Sequence, residues 1–123
     1  MTRTFLRTKL HRATITAADR DYEGSISIDR DLCRTAGLLE FEQVDVYDIT
    51  NAARFTTYVI YGEPGMIQVN GAAAALVNVG DSIIVAAYGR LPEAAIAGHS
   101  ATIVLLGKGN VVKSVEQKPV REP

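Results

Sequence analysis

Tyr22-Glu23-Gly24-Ser25-Ile26-Ser27-Ile28-Asp29 runs out of a loop and into a strand. Ile26 and Ile28 alternate with Ser25, Ser27 and Asp29, so an extended backbone puts the apolar residues on one face and the polar ones on the other. The same period of two recurs on both sides. Arg3 to Thr16 reads as a Thr-rich strand, with Leu6 and Leu10 on one face and Lys9 and His11 on the other. Gln43 to Thr50, Arg54 to Tyr61, Met66 to Asn70, Ser82 to Tyr88 and Ala101 to Leu106 are strand-like in turn. Short strands at this spacing, with little helix between them, predict a mainly β domain built as a small barrel.

The joints between strands carry their own signals. Ala17 to Gly24 is a loop with Asp19 and Asp21 as turn formers, and Asp29 or Asp31 can cap a short helix through Ala36 that Gly37 stops. Asn51-Ala52 is a hairpin tip, and its turn type stays open because alanine suits a tight turn less well than glycine. Gly71 to Val77 is Ala-rich and predicts one or two helical turns, with Asn70 as a candidate cap. Asn78-Val79-Gly80-Asp81 turns into the strand from Ser82, and Leu91 to Ala97 reads as a short helix. His99 reads as a solvated loop residue. Residues 1–113 form the expected single domain, and the polar, Pro-bearing segment 114–123 is expected to be disordered.

Composition narrows the function classes. The chain has 123 residues, a net charge of -1 and no basic run, which argues against a nucleic-acid partner. No apolar run reaches the roughly 20 residues of a membrane span. The N-terminus carries Arg7, Lys9, His11 and Arg12 where a signal peptide would be apolar. Cys33 is the one cysteine, so no internal disulfide forms, which fits a reducing cytoplasm; it is assigned no chemistry.

Lys9-Leu10-His11-Arg12, Tyr22-Glu23-Gly24-Ser25, Thr50-Asn51-Ala52-Ala53-Arg54-Phe55-Thr56-Thr57-Tyr58 and Val69-Asn70-Gly71-Ala72-Ala73-Ala74 together resemble the L-aspartate alpha-decarboxylases, the pyruvoyl-dependent enzymes that make beta-alanine. The resemblance runs in register from Arg3 to Tyr88 and fades after it. It implies a double-psi beta-barrel, a homotetramer with the site between neighbouring subunits, and a place in pantothenate biosynthesis. Some family members need a separate maturation factor.

The resemblance also gives Gly24-Ser25 a chemistry. The Ser25 hydroxyl attacks the Gly24 carbonyl and turns the peptide bond into an ester. Elimination leaves dehydroalanine, which hydrolyses to a pyruvoyl group and ammonia, dividing the chain into residues 1–24 and 25–123. Glycine before the serine leaves the attacked carbonyl uncrowded and permits an unusual backbone. The pyruvoyl ketone can form a Schiff base with an amino acid and act as an electron sink. Two cations must then hold the carboxylates. Arg54 is the best clamp because its guanidinium forms two parallel hydrogen bonds, and Lys9 is the second. The resemblance makes Tyr58 the proton donor and places His11 in the polar wall. Thr57 is implied to bond the Gly24 carbonyl during cleavage. Tyr22, Asn70 and the Gly71, Ala72 and Ala73 backbone are implied to line the ligand, and no metal is implied. By alternation Arg54 and Tyr58 share a face and Thr57 takes the other. Two other classes remain open: a barrel that binds an anionic small molecule without catalysis, and a structural barrel with no ligand.

Overall fold

Alternate residues of seven strands point into one apolar centre. Leu10, Ile26, Ile28, Val44, Val46, Val59, Ile67, Val69, Ile83, Val85 and Val104 are all at most 1% exposed and belong to a single buried cluster of 20 residues. Their order along the chain is β1 (Thr2–Thr14), β2 (Ala17–Asp19), β3 (Ser25–Asp29), β4 (Gln43–Asp48), β5 (Arg54–Gly62), β6 (Ile67–Asn70), β7 (Ser82–Pro92), β8 (Ser100–Leu106) and β9 (Val112–Pro119). The computed structural model describes residues 1–123. None of its helices is long and apolar enough to cross a membrane.

The strands form one nine-stranded sheet in the order β2-β6-β3-β5-β4-β7-β1-β8-β9. That order forces curvature. β1 and β2 stand six positions apart, which in a flat sheet is about 29 Å at roughly 4.8 Å per spacing. Yet Thr14 and Ala17 are three residues apart in the chain, at most about 11 Å. The sheet must therefore curl back on itself, as the small barrel expected from the sequence does. Parallel pairing of β1 with β8 and of β3 with β5 sits among antiparallel neighbours.

Short helices join the strands. Helix α1 (Arg30–Ala36) starts at Asp29, whose Oδ1 accepts from Asp31 N at 2.8 Å, and ends at Gly37. A second helix, α2, covers only Glu93–Ile96. Gly71–Leu76 is a 3-10 turn in which Asn70 makes no capping bond, contrary to the cap expected there. His99 is not solvated: it is half-buried, its Nε2 lies 2.8 Å from the Leu6 carbonyl, and its ring meets Phe5 edge-on. The expected disorder of 114–123 also gives way. Val112–Pro119 pairs antiparallel with β8, from Val112 opposite Leu106 to Pro119 opposite Ser100.

The β4–β5 tip closes with Ala52 at φ 67, in the left-handed region. Asp48 holds this turn by accepting from Thr50 N at 2.8 Å and Asn51 N at 3.2 Å. A left-handed residue with a Cβ costs about 1 kcal/mol or more. Ala52→Gly is therefore expected to raise stability by about 0.5–1 kcal/mol, after the added chain entropy of glycine. Urea denaturation of the two proteins at equal concentration measures this.

Candidate active site

Ser25 opens β3 and is only 2% exposed. Its Oγ donates to the Glu23 carbonyl at 2.9 Å and accepts from Asn70 Nδ2 at 3.0 Å. Asn70 stands directly across from Ser25 in the β3–β6 ladder. Its Nδ2 also reaches Ser27 Oγ at 3.1 Å, while its Oδ1 accepts from Gln68 Nε2 at 2.7 Å. The amide expected to cap a helix thus fixes the direction of a buried hydroxyl. Gln68, which steadies that amide, was not singled out from the sequence; its place two residues before Asn70 on the same strand face was the available signal.

The backbone beside Ser25 is tight on one side only. A Cβ built on Gly24 meets nothing within 4 Å, and Gly24 does not take a left-handed conformation. The close backbone approach is at Gly71. At φ 78, a Cβ there would lie 2.6 Å from Gly24 Cα and 2.8 Å from Gly24 N. These are backbone atoms that cannot swing aside, so glycine at 71 is what lets the two segments meet. Ala72 follows it exposed, and Ala73 packs on the core.

Ser25 borders a depression of about 330 Å³ that Tyr22, Glu23, Phe41 and Tyr58 also line. Tyr58 arrives there by register: β3 and β5 run parallel with Ile26 beside Val59, which leaves Ser25 and Tyr58 at the same level. Thr57 is on the opposite face of β5, paired with Val44, and its hydroxyl makes no bond to Gly24 in the continuous chain. No bulge interrupts β5 against β4, so the alternation read from the sequence holds.

Lys9, His11 and Arg54 lie elsewhere. Arg54, Tyr47, Ile84 and His11 form one row across β5, β4, β7 and β1; Thr56, Asp45, Ala86 and Lys9 form the next. Counted along the curled sheet, Arg54 stands three strand spacings from His11, about 14 Å. It is also four residues along β5 from Tyr58, about 13 Å. Lys9 and His11 line a separate depression with Leu6, Ile103 and Glu116. One copy of the chain therefore brings Ser25, Tyr58, Tyr22, Asn70 and Gly71 together, and carries its cations on another part of the sheet.

Neither cation is neutralised by an acidic side chain. Neither Arg54 nor Lys9 is in any of the four ion pairs. The Arg54 guanidinium lies 4.1 Å over the Tyr47 ring, a cation–π contact that orients it. Tyr47 shares a 2.7 Å hydrogen bond with Tyr88 Oη. Burial, then that bond, pushes the Tyr47 phenol up to about 12, so it remains a neutral platform. Sequence reading passed over Tyr47, although the hairpin places it directly opposite Arg54. Burial lowers His11 from the usual histidine range, and Lys9 and Arg12 lower it further. Its Nδ1 is buried without a partner. Burial and the neighbouring cations both favour its neutral form beside Lys9. Cys33 is buried and its thiol is pushed up to about 12 by that burial first, which makes it inert.

A small curled sheet that points a buried serine hydroxyl at its own upstream backbone, with polar depressions around it, belongs among the mainly β enzymes. The aspartate decarboxylase family model matches residues 1–113. The chain is 55% identical to the aspartate 1-decarboxylase of Phenylobacterium zucineum (strain HLK1), over 89% of this chain and 95% of that one. It is 54% identical to the one from Caulobacter vibrioides over the same shares, and 48% identical to that of Psychromonas ingrahamii over 98% of both chains. The chain belongs to the aspartate decarboxylase family.

Proposed function

We propose that the chain cleaves itself between Gly24 and Ser25 and, as a cytoplasmic homotetramer, decarboxylates L-aspartate to beta-alanine and CO2 with a pyruvoyl group formed from Ser25. The observation that carries this is the Ser25 hydroxyl, fixed between Glu23 O and Asn70 Nδ2 beside a peptide bond that Gly71 alone leaves room for. The family membership supports the substrate and the reaction.

The residues present fit the group. Ser25 is buried, its hydroxyl faces backbone, and the missing Cβ of Gly71 leaves a cradle against Gly24. Net cleavage consumes one water, releases ammonia and leaves Gly24 as a carboxylate. Once formed, the ketone at position 25 supplies an electron sink for the captured amino acid. Everything else falls to side chains. Tyr58 holds a proton at Oη beside residue 25 and delivers it as carboxylate is lost. Thr57 assists the cleavage once the backbone around Gly24 moves. Tyr22 covers the depression, and the Gly71, Ala72 and Ala73 backbone borders the ligand. The cations come from a second copy. The separation of Lys9 and Arg54 from Ser25 within one chain supports a site completed between subunits, where Arg54 and Lys9 bind the two carboxylates and neutral His11 adds no third charge.

An intact mass tests the reading. Purified protein warmed with and without cell extract is expected to give two chains, residues 1–24 and 25–123, and to release beta-alanine from aspartate. A requirement for the extract would identify a maturation factor. One uncut 123-residue mass under both conditions would leave an anion-binding barrel as the better reading.

A further inference from the structure

Phe41 is where the structure spends conformational energy for no gain in its core. The residue sits at φ 70, a region that a bulky side chain rarely enters, and yet it is 69% exposed. Its backbone is pinned. Phe41 N donates to Val59 O at 2.7 Å, and Val59 N returns a bond to Glu42 O at 3.0 Å. Glu42 Oε1 accepts from Leu39 N at 3.0 Å, and its other oxygen pairs with Arg7. Asparagine or glycine would occupy this turn with less strain. An observed outlier of this kind points toward a site. The ring explains where. It packs 6.2 Å from Tyr58, tilted by 49°, and forms one wall of the depression that Ser25 and Tyr58 share.

We propose that Phe41 is a positioning residue: its strained turn presses the ring on Tyr58, holds the phenol beside residue 25 and shields it from water. The proposal rests on the reading that Tyr58 delivers a proton there. A misplacement of the donor by about 1 Å can slow a reaction by about a hundredfold.

The kinetic test uses fully cleaved enzyme. Phe41→Asn removes the ring and relieves the backbone, so its Tm is expected to equal or exceed the original by roughly 2–6 °C. Its kcat on aspartate should fall about ten- to a hundredfold with KM changed by less than about threefold. Phe41→Tyr, which keeps the ring, should return kcat to within about threefold. A stabilised Phe41→Asn enzyme with normal kcat, or a Phe41→Tyr enzyme no better than Phe41→Asn, overturns the role. Fluorotyrosine at position 58 gives a second reading that does not depend on activity. Its 19F line is expected to shift and narrow in Phe41→Asn, as the ring turns freely. An unchanged line overturns the proposal even in an inactive protein. A changed line in protein that never cleaves or decarboxylates upholds the contact and brings down the functional reading instead.

Discussion

Ser25→Ala is expected to remain one uncut chain and to convert no aspartate. The hydroxyl is the attacking group, and alanine has none. Loss of turnover should be total within detection, at least about a millionfold, the low end of what enzymes supply over the uncatalysed reaction. The fold should survive. Asn70 keeps its bonds to Ser27 Oγ and Gln68, so only the two bonds to Ser25 are lost, at roughly 1 kcal/mol each. Mass spectrometry and thermal melting on one sample separate the two effects. Cleavage of Ser25→Ala, or beta-alanine formed by the uncut protein, would show that the group at position 25 is not the electrophile. Ser25→Thr keeps the hydroxyl and should cut slowly, leaving a ketone with one more methyl.

Arg54→Ala should mature normally and lose aspartate turnover. Hydrogen bonds to charged groups contribute roughly 1.5–3 kcal/mol each, so a bidentate pair is about 3–6 kcal/mol. At about 1.4 kcal/mol per decade, kcat/KM should drop by about two to four orders of magnitude. Arg54→Lys should recover part of this, because it keeps charge without the planar fork. The structure adds a sharper experiment. Arg54 stands about 13 Å along β5 from Tyr58 of its own chain, so Ser25→Ala and Arg54→Ala chains, each inactive alone, should give active enzyme when produced together in one cell and assembled before cleavage. Each mixed boundary can pair a native Ser25 with a native Arg54. No activity in proteins shown to have mixed would place Arg54 outside a shared site.

Most of the strand pattern was legible because it is local. Ile26 and Ile28, or Val44 and Val46, declare an inward face within a few residues, and Asp29 and Gly37 mark the ends of α1 by short-range chemistry. β9 escaped notice because Val115 is followed by polar residues, and an edge strand needs no second apolar face. The roles around Ser25 were less legible. Asn70 reads as a helix cap until β6 is seen to pair with β3, a contact across 45 residues. The steric demand at Gly71 was not legible either, because only the folded chain says which backbone approaches which. The distance from Arg54 to Ser25 depends on strand order, and alternation along one strand carries no information about its neighbours.

The central place of β1 has a consequence for the life of the molecule. β1 is hydrogen-bonded on both edges, to β7 and to β8, so the segment released by a cut after Gly24 stays threaded through the sheet. Before the cut, assembly of this barrel is a first-order event with both parts on one string. Afterwards it needs two molecules to meet, and its rate depends on their concentration. A matured barrel that comes apart in dilute solution has lost its way home, so its lifetime is governed by how slowly β1 is pulled from between its neighbours.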